Sequence, residues 1–429
     1  MVGKHCIAVV TPFLDKRHGT ERCLVEQVER LAFDHGHEVH LYCQRVEGLR
    51  GLEEFPKRNK SPLSVGPKRG VESSIRATPA VGRILWHKIP ALPGPHLLRY
   101  LWWLLANQLQ RWRDQRFRGL RYDLVYSPGI NCWDADAIVI HIVFREFYRQ
   151  VREELRLRKI PMRAWPRTFH RHLYYRLIMA LEDRIYADPR VTLAAVSGLS
   201  AQAVQRFFGR DDVQVIPNAV DRNAFNPAAR LKRRGEVRRQ RGFDDNDFVL
   251  LLVGNDWKKK GLLGLLEAAS RCSDLPLRLL VVGGDDCGPY REDIQRLGLR
   301  GRVQFEAPSE DVVQFYSAAD AYVGPSLEDA FGLPPLEAMA CGLPVIVSGR
   351  AGVSQLIHSG HDGLILQDPR NVSELAEMIR QLCVDADLRR QIAANAVATA
   401  HQYGWERNAE QTLALLGTAL SRRWARASR

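Results

Sequence analysis

The apolar residues of this chain fall in short runs that alternate with amphipathic segments, and this alternation restricts the possible folds more than any other feature. The N-terminal half opens with the strand-like run KHCIAVVTPF, the helical segment ERCLVEQVERLAFDHG and a second run, HEVHLYC. Further runs follow at YDLVYS, AIVIHIV, TLAAVS and VQVIP, between long Arg-rich helical stretches. Strands that alternate with helices predict an α/β fold with a doubly wound parallel sheet.

A second series of the same kind occupies the C-terminal half. It contains the segments FVLLLVG, GLLGLLEAASRC, LRLLVVGG, YREDIQRLG, VQFEA, EDVVQFYSAA, AYVGPS, PLEAMACG and PVIVS. A chain of 429 residues suits two domains better than one core. We expect Rossmann-like domains over residues 1–221 and 248–400 that face a cleft. The charged segment 222–247 has little apolar periodicity and predicts an exposed linker.

Composition and cysteine usage indicate a globular, cytoplasmic protein. The N-terminus lacks a charged segment, a long apolar segment and a cleavage site, so we expect no secretion signal. The most apolar stretch, residues 97–106, is interrupted by Arg99 and is shorter than the roughly 20 residues that span a bilayer, so we expect no transmembrane helix. The eight cysteines are scattered without a C-x-x-C pair, which favours reduced thiols over disulfides or metal ligands.

The segment from Pro325 to Gly342, PSLEDAFGLPPLEAMACG, carries the strongest indication of a binding site. It follows a predicted strand, and open α/β sheets bind ligands beyond the carboxyl ends of their strands. Asp329 and Glu337 offer carboxylates that accept hydrogen bonds from sugar hydroxyls, and Gly332 permits close backbone approach. Acids in a first helical turn also act as caps, which would explain Glu337 but not the whole arrangement.

A second loop beyond a strand, GNDWKKKG from Gly254 to Gly261, places three lysines before the following helix. The positive end of the helix dipole and the ammonium groups together favour a phosphate group. A solvated run of charges on an ordinary loop is the alternative explanation. The position of the loop at the carboxyl end of a strand favours phosphate binding.

These segments resemble the Glu-x7-Glu signature and the phosphate loop of retaining GT-B-fold glycosyltransferases of family 4, the glycosyl transferases group 1. The segments TPFLDKRHGTER, LAFDHGHEV, VSGLSAQAVQRFFG, VIPNAVDRNAFNP and AGVSQLIHSGHDGLIL are similar to other parts of that family in order and spacing. The resemblance covers nearly the whole chain, although it is loose from residue 48 to residue 190. It implies a GT-B fold, a nucleotide-sugar donor, and a last helix, residues 401–429, that packs back on the N-terminal domain.

The acidic motif and the phosphate loop each depart from the family pattern at one position. The acid eight positions before Glu337 is Asp329 instead of a glutamate, and Glu328 directly precedes it. Asn255 stands where the family has an arginine for the donor diphosphate, whereas Lys260 keeps the matching lysine position.

The resemblance implies a role for each matching residue. Lys260 would contact the donor diphosphate, Asp329 the hydroxyls of the transferred sugar, and Glu337 the hydroxyls of the ribose. His141, at the end of the strand AIVIHIV, is a third catalytic candidate beside Lys260 and Asp329, although a lone histidine at a strand end is more often structural. The other implied donor-binding residues are Gly19, Asn255, Glu328, Phe331, Gly332 and Leu333.

Family resemblance also implies a reaction that retains the anomeric configuration. The acceptor would attack on the face that the leaving group vacates, with a phosphate oxygen as the base. Asp-x-Asp pairs, which hold a metal in other glycosyltransferases, occur at 134/136, 245/247 and 385/387, but such pairs are common by chance. We therefore expect neither a metal nor another cofactor in the transfer reaction, because lysines already supply positive charge at the phosphate.

All of the excess positive charge lies in the half that would bind the acceptor. Residues up to Pro217 include 35 Lys and Arg against 22 Asp and Glu, whereas the later residues include 27 of each. This predicts an anionic glycan or a lipid-linked acceptor, as in lipopolysaccharide or other cell-surface polysaccharide assembly, and contact with the inner face of the plasma membrane. The basic, aromatic stretches 97–121 and 151–178 suit helices on a bilayer, whereas burial of Trp102 and Trp103 in a core is the alternative.

Two other classes of function remain open from the sequence. The substitutions at Asp329 and Asn255 are compatible with a nucleotide-sugar-binding scaffold that has lost transfer activity. The isoelectric point of about 9.5 is compatible with an RNA-binding protein. No RNA-binding signature accompanies the charge, so we expect no nucleic-acid partner.

Overall fold

The computed structural model describes residues 3–16, 19–55, 82–151 and 165–428, which form two compact units. Unit 1 consists of Met1–Ala194, Ala203–Gln214 and Ala409–Arg429, and unit 2 of Ala195–Gln202 and Val215–Asn408. A large parallel β-sheet with helices forms each unit, so the predicted α/β class with two doubly wound sheets is confirmed. Residues 152–164, which are part of the basic stretch 151–178, lie outside the described residues.

The sheet of unit 1 has β1 near its middle. The described strands of this unit are β1 (Cys6–Val10), β2 (Phe13–Leu14), β3 (Glu38–Cys43), β4 (Arg45–Val46), β5 (Leu52–Glu54), β6 (Arg83–Lys88), β7 (Leu124–Ser127), β8 (Ala137–Ile140), β9 (Thr192–Ala195) and β10 (Gln214–Val215). Eight of them form one sheet in the order β10-β9-β8-β7-β1-β3-β6-β5, and β2 pairs with β4. Residues 7–10 of β1 are fully buried, as expected of a central parallel strand with both faces covered.

Helices connect these strands. They are α1 (Gly19–Phe33), α2 (His96–Arg118), α3 (Phe144–Val151), α4 (Trp165–Ile185) and α5 (Gly198–Phe208). The strand β6 is an element that the sequence did not indicate. Its sequence RILWHK includes His87, which is buried, so a polar residue interrupts the apolar run by which strands are usually found.

Unit 2 contains a six-stranded sheet in the order β13-β12-β11-β14-β15-β16. Its strands are β11 (Phe248–Val253), β12 (Leu277–Val282), β13 (Val303–Glu306), β14 (Ala321–Gly324), β15 (Val345–Ser348) and β16 (Leu364–Leu366). Its helices are α6 (Pro227–Arg241), α7 (Leu262–Ser270), α8 (Arg291–Arg296), α9 (Val313–Ala318), α10 (Leu333–Ala340), α11 (Val372–Val384) and α12 (Ala386–Ala400). The core joins the near-continuous apolar run of β11 to apolar residues of α7 and α11.

The interval 222–247, for which the sequence predicts a linker, is largely the helix α6 and belongs to unit 2. Asn226 caps the start of this helix by accepting from the N–H of Ala229, and Gly242 ends it with a φ of 70°. The charges that suggested an exposed segment are used inside the unit. Arg238 is only 3% exposed and donates to the carbonyl of Ala318 and to Oδ2 of Asp320, each over 3.0 Å.

The last helix, α13 (Trp405–Ala427), contributes its residues from Ala409 onward to unit 1. There Arg423 donates to Oδ2 of Asp136 over 2.6 Å, and Arg422 to Oδ2 of Asp212 over 3.2 Å. In the part of the chain that the structure describes, no helix combines the length and the apolar character needed to cross a membrane.

We expect Arg238→Met to destabilise unit 2 by about 1 to 3 kcal/mol, because three backbone carbonyls lose this donor, while Asp320 keeps its pairing with Arg234. Arg239→Met is the matched control, since Arg239 is the next residue of the same helix and is exposed. Thermal unfolding followed by circular dichroism measures both variants. Equal unfolding temperatures for the two variants would contradict a structural role for Arg238.

Candidate functional site

The loop that follows β11 forms one side of the candidate site. It runs from Gly254 to Gly261, and Asp256 within it has a φ of 60°. Trp257 anchors the loop, because the residue is only 2% exposed. Its backbone N–H donates to Oδ2 of Asp285 over 2.9 Å. A Cβ atom on Gly261 would lie 2.1 Å from the carbonyl oxygen of Pro325, just after β14. Glycine at this position therefore lets two strand-end loops meet.

An ion pair joins the same two loops. Nζ of Lys260 donates to Oδ2 of Asp329 over 2.5 Å, and the two side chains are 17% and 19% exposed. This partial burial strengthens the interaction between the charges while leaving them accessible to a ligand. The N–H of Leu327 reinforces the junction by donating to the carbonyl of Lys259 over 2.7 Å.

The acidic loop is fixed by the segment after β15. Asp329 donates its N–H to the carbonyl of Arg350 over 3.3 Å, and its carbonyl accepts from the N–H of Gly352 over 3.0 Å. The N–H of Phe331 donates to Oδ1 of the Asp329 carboxylate over 3.3 Å. Gly332, with a φ of 88°, then leads into α10. A Cβ atom there would lie 3.3 Å from Oδ2 of Asp329, so glycine keeps the space beside the carboxylate open.

The side chains of Phe331 and Leu333 point into the protein, with exposures of 3% and 8%. The carbonyl of Phe331 accepts from the N–H of Val353 over 2.7 Å. These two residues therefore support the loop with their side chains, and their predicted contacts with a donor through backbone N–H groups stay a prediction.

Glu337 is a buried carboxylate, 4% exposed, just past the midpoint of α10. The hydroxyl of Tyr316, on α9, donates to its Oε2 over 2.6 Å. Burial and the neighbouring Glu337 raise the pKa of Tyr316 well above its usual value, so the phenol remains a donor at every physiological pH. The sequence did not single out Tyr316, because the two residues are 21 positions apart and only the packing of α9 against the sheet brings them together.

Two predicted donor-binding residues sit at the edge of this arrangement. The exposed Asn255 accepts through Oδ1 from the N–H of Gly284 over 2.8 Å, which ties the phosphate loop to the loop after β12. Glu328 is half-buried directly before Asp329.

Ser197 is a supporting residue that the sequence did not identify as part of the site. Its Oγ donates to the carbonyl of Ala330, within the acidic loop, over 2.7 Å. A Cβ atom on Gly352 would lie 2.2 Å from the same carbonyl and 2.5 Å from Cβ of Ser197. The acidic loop is therefore clamped on its backbone between Ser197 and Gly352, both of which belong to unit 2.

The remaining predicted site residues, Gly19 and His141, lie in unit 1. Gly19 is the exposed first residue of α1. His141 directly follows β8, and burial lowers its pKa to about 4, so its imidazole is neutral near pH 7. His141 lines a cavity of about 340 Å³ whose other walls include His96, Arg99, Tyr100, Trp103, Asn131 and Tyr174.

At least one carboxylate of each Asp-x-Asp pair has a protein partner. Asp134 accepts from the guanidinium of Arg111 at 2.7 and 2.9 Å, and Asp136 accepts from Arg423. Asp385 caps the start of α12, and Asp247 accepts from Arg278 over 3.1 Å. These acids therefore serve the fold.

Comparison with known proteins agrees with this geometry. Residues 233–399 match the family described as glycosyl transferases group 1, a match that contains the phosphate loop and the acidic loop. A D-inositol 3-phosphate glycosyltransferase of Actinosynnema mirum is 32% identical over 256 residues, which cover 56% of this chain and 59% of the relative. The chain thus spans about three fifths of the length of such relatives.

Solved structures resemble the chain over almost its whole length. WaaG, a glycosyltransferase involved in lipopolysaccharide biosynthesis, has a TM-score of 0.71 at 19% identity, covering 96% of this chain and 99% of WaaG. Anabaena Alr3699/HepE, in complex with UDP and glucose, has a TM-score of 0.66 at 21% identity, covering 96% and 99%. At these identities the likeness establishes the fold. The chain therefore has the GT-B fold, and its residues 233–399 form a domain of the glycosyl transferases group 1.

Proposed function

We propose that this protein is a retaining glycosyltransferase that moves a sugar from a nucleotide-diphosphate sugar to a glycan or lipid-linked acceptor. The observation that carries the proposal is the Lys260–Asp329 pair at the junction of two strand-end loops. An ammonium group and a carboxylate side by side offer partners for both halves of a nucleotide-sugar, the diphosphate and the sugar hydroxyls. UDP in complexes of Alr3699/HepE favours a UDP-sugar as the donor.

Charge explains how the pair would act. Before the donor binds, Asp329 neutralises Lys260. The donor diphosphate would take over the ammonium group, and Asp329 would then accept hydrogen bonds from hydroxyls of the transferred sugar. As the bond from the anomeric carbon to the diphosphate breaks, negative charge grows on the leaving group, and Lys260 stabilises it. This transition-state role would make Lys260 matter for the rate as well as for affinity.

Glu337 would bind the ribose. One of its oxygens accepts from Tyr316, which fixes the orientation of the carboxylate, and each carboxylate oxygen can accept more than one hydrogen bond, as a pair of vicinal hydroxyls requires. Anchoring the nucleoside in this way would hold the diphosphate beside Lys260.

Unit 1 offers the features that suit an acceptor. The cavity beside His141 combines aromatic rings with hydrogen-bonding side chains, as sugar-binding sites do, and a neutral His141 can accept or donate a hydrogen bond to a hydroxyl. The excess positive charge of this half favours an anionic acceptor, in agreement with the involvement of WaaG in lipopolysaccharide biosynthesis.

A membrane surface is the second partner that we propose. Trp103 is buried, as the core alternative requires, but Trp102 and Trp112 are 38% and 52% exposed. Other exposed apolar residues of α2 recur at helical spacing, and together they form the α2 apolar face: Leu98, Leu101, Trp102, Leu105, Leu109, Trp112 and Phe117. The same helix also carries the exposed arginines Arg99, Arg113 and Arg116. Apolar and basic residues together suit binding to an anionic bilayer at the cytoplasmic face of the plasma membrane.

Lys260→Ala should lower kcat/KM for sugar transfer at least about a hundredfold, because it removes charge stabilisation of the leaving diphosphate. Glu337→Gln should chiefly weaken nucleotide binding. Lys258→Ala is the control, since it removes an exposed lysine of the same loop and leaves the Lys260–Asp329 pair in place. The rate of transfer from UDP-, GDP- and ADP-sugars to a membrane extract measures catalysis. Calorimetry measures nucleotide binding separately. A transfer rate of Lys260→Ala equal to that of the wild type would contradict the donor site. If the wild-type protein binds a nucleotide-sugar but neither transfers nor hydrolyses it, the scaffold function is favoured.

Transfer should need no added divalent cation, because Lys260 and helix N-termini supply the positive charge at the diphosphate. We expect the initial rate to be the same with EDTA and with added Mg²⁺ or Mn²⁺, measured well below the unfolding temperature. A rate that falls in EDTA and recovers with Mg²⁺ or Mn²⁺ would contradict metal independence.

The α2 apolar face predicts binding to vesicles that contain anionic lipid. The double substitution Leu105→Glu and Leu109→Glu should abolish flotation with such vesicles, whereas Leu231→Glu, at an exposed leucine of unit 2, should leave it unchanged. Binding should also weaken with salt, because surface charges are screened over about 8 Å at physiological ionic strength. Undiminished flotation of the double variant would argue against this surface.

A further inference from the structure

Three side chains with metal-binding chemistry share one face of the unit 1 sheet. Cys6 and Glu38 are the first residues of β1 and β3, and the parallel register of these strands makes them direct neighbours. His40 lies two positions after Glu38, and residues two apart on a strand point to the same face. Strand register therefore brings together a thiol, a carboxylate and an imidazole that show no metal-binding spacing in the sequence.

The geometry is close enough for one ion. A sulfur atom, an imidazole nitrogen and a carboxylate oxygen of these residues all lie within 4.8 Å of one another. The ring of His40 is fully buried, whereas Cys6 and Glu38 line a cavity of about 350 Å³ together with Asp123, Arg83 and other residues. The group thus has a buried end that fixes its shape and an open end through which an ion and water can enter.

Two polar side chains behind His40 fix the position of its ring. Asp114 is buried on α2, and its Oδ2 lies 2.7 Å from Nδ1 of His87. Nε2 of His87 in turn lies 2.8 Å from Nδ1 of His40. In the tautomer of His40 that carries its proton on Nδ1, this nitrogen donates to Nε2 of His87. Nε2 of His40 then carries a lone pair.

That lone pair faces another acceptor. Nε2 of His40 lies 2.9 Å from Oε1 of Glu38, while Arg83 donates to Oε2 of the same carboxylate over 2.9 Å. In this tautomer the nitrogen and the carboxylate oxygen both offer lone pairs, and a metal ion between them accepts both. Sγ of Cys6 adds a third ligand atom beside them.

We propose that Cys6, Glu38 and His40 bind one divalent transition-metal ion of the zinc class, with water in the fourth position. Sulfur, nitrogen and oxygen ligands in a group of three are typical of zinc sites with an open position. His87, 2.8 Å behind Nδ1 of His40, takes the place of the outer group that orients a metal-binding histidine. Asp123 lines the same cavity as Cys6 and Glu38 and adds a further carboxylate beside the site.

Binding has a defined proton balance. Cysteine binds a metal ion as its thiolate, whereas the thiol carries its proton when no ion is bound. The metal–sulfur bond forms as the S–H bond breaks, and one proton leaves for the solvent. Binding should therefore tighten as pH rises. The site lies at the amino ends of the strands, whereas ligands of open α/β sheets bind beyond the carboxyl ends, so the ion would stabilise unit 1 and take no part in the transfer.

Co²⁺ reports on thiolate ligands, because a metal bound to sulfur gives a charge-transfer band in the near ultraviolet. After treatment of the full chain with chelator, we expect one equivalent of Co²⁺ to produce this band, and Zn²⁺ to displace Co²⁺ and raise the unfolding temperature. Cys6→Ser should lose the band and bind Zn²⁺ at least about tenfold more weakly. Cys287→Ser is the matched control, at a partly exposed cysteine of unit 2, and should behave as the wild type.

Glu38→Gln provides a second variant that keeps the size of the side chain, so it decides the question if Cys6→Ser does not fold by circular dichroism. It should also weaken Zn²⁺ binding at least about tenfold. No band in the wild-type protein, or an unchanged band in Cys6→Ser, would overturn the proposal. Unchanged Zn²⁺ affinity in a folded Glu38→Gln would do the same.

Discussion

The contact between the loop after β11 and the loop after β14 is the constraint on which the candidate donor site depends. Gly261 allows it, because any side chain there would strike the carbonyl of Pro325. The Lys260–Asp329 pair then closes it with opposite charges. Clamping of Ala330 by Ser197 and Gly352 fixes the acidic loop from behind. The charged groups are therefore held in place before any ligand arrives, which lowers the entropic cost of binding.

Both units place polar groups inside apolar surroundings, and in both these groups are supplied with partners. In unit 2, Arg238 bonds with Asp320 and with backbone carbonyls. In unit 1, His87 joins Asp114 to His40 on the sheet. A buried polar group without a partner costs free energy, so such chains fix one arrangement of the side chains. The same rigidity is what a metal site or a donor site requires.

The sequence predicted the architecture well because apolar runs report burial directly. The runs that became β1, β3, β7, β8 and β11 were visible, since central parallel strands are apolar on both faces. The sequence did not predict β6, because a buried histidine interrupts its apolar residues. It did not predict the helix α6 either, because its many arginines suggested an exposed linker. A charged residue predicts solvent exposure only if the folded chain brings no partner of opposite charge close to it. The partner of these arginines, Asp320, is about 80 residues away in the sequence, so the sequence did not reveal it.

The sequence by itself determined the α/β class, the two sheets and the two loops that carry Lys260 and Asp329, because local patterns of apolar, glycine and charged residues encode strands, helices and turns. Only the tertiary structure decided which side chains meet. It paired Lys260 with Asp329, set Tyr316 against Glu337, and brought Cys6, Glu38 and His40 together through strand register. The physical reason is that such contacts join residues far apart in the chain, and their distances depend on how sheets and helices pack.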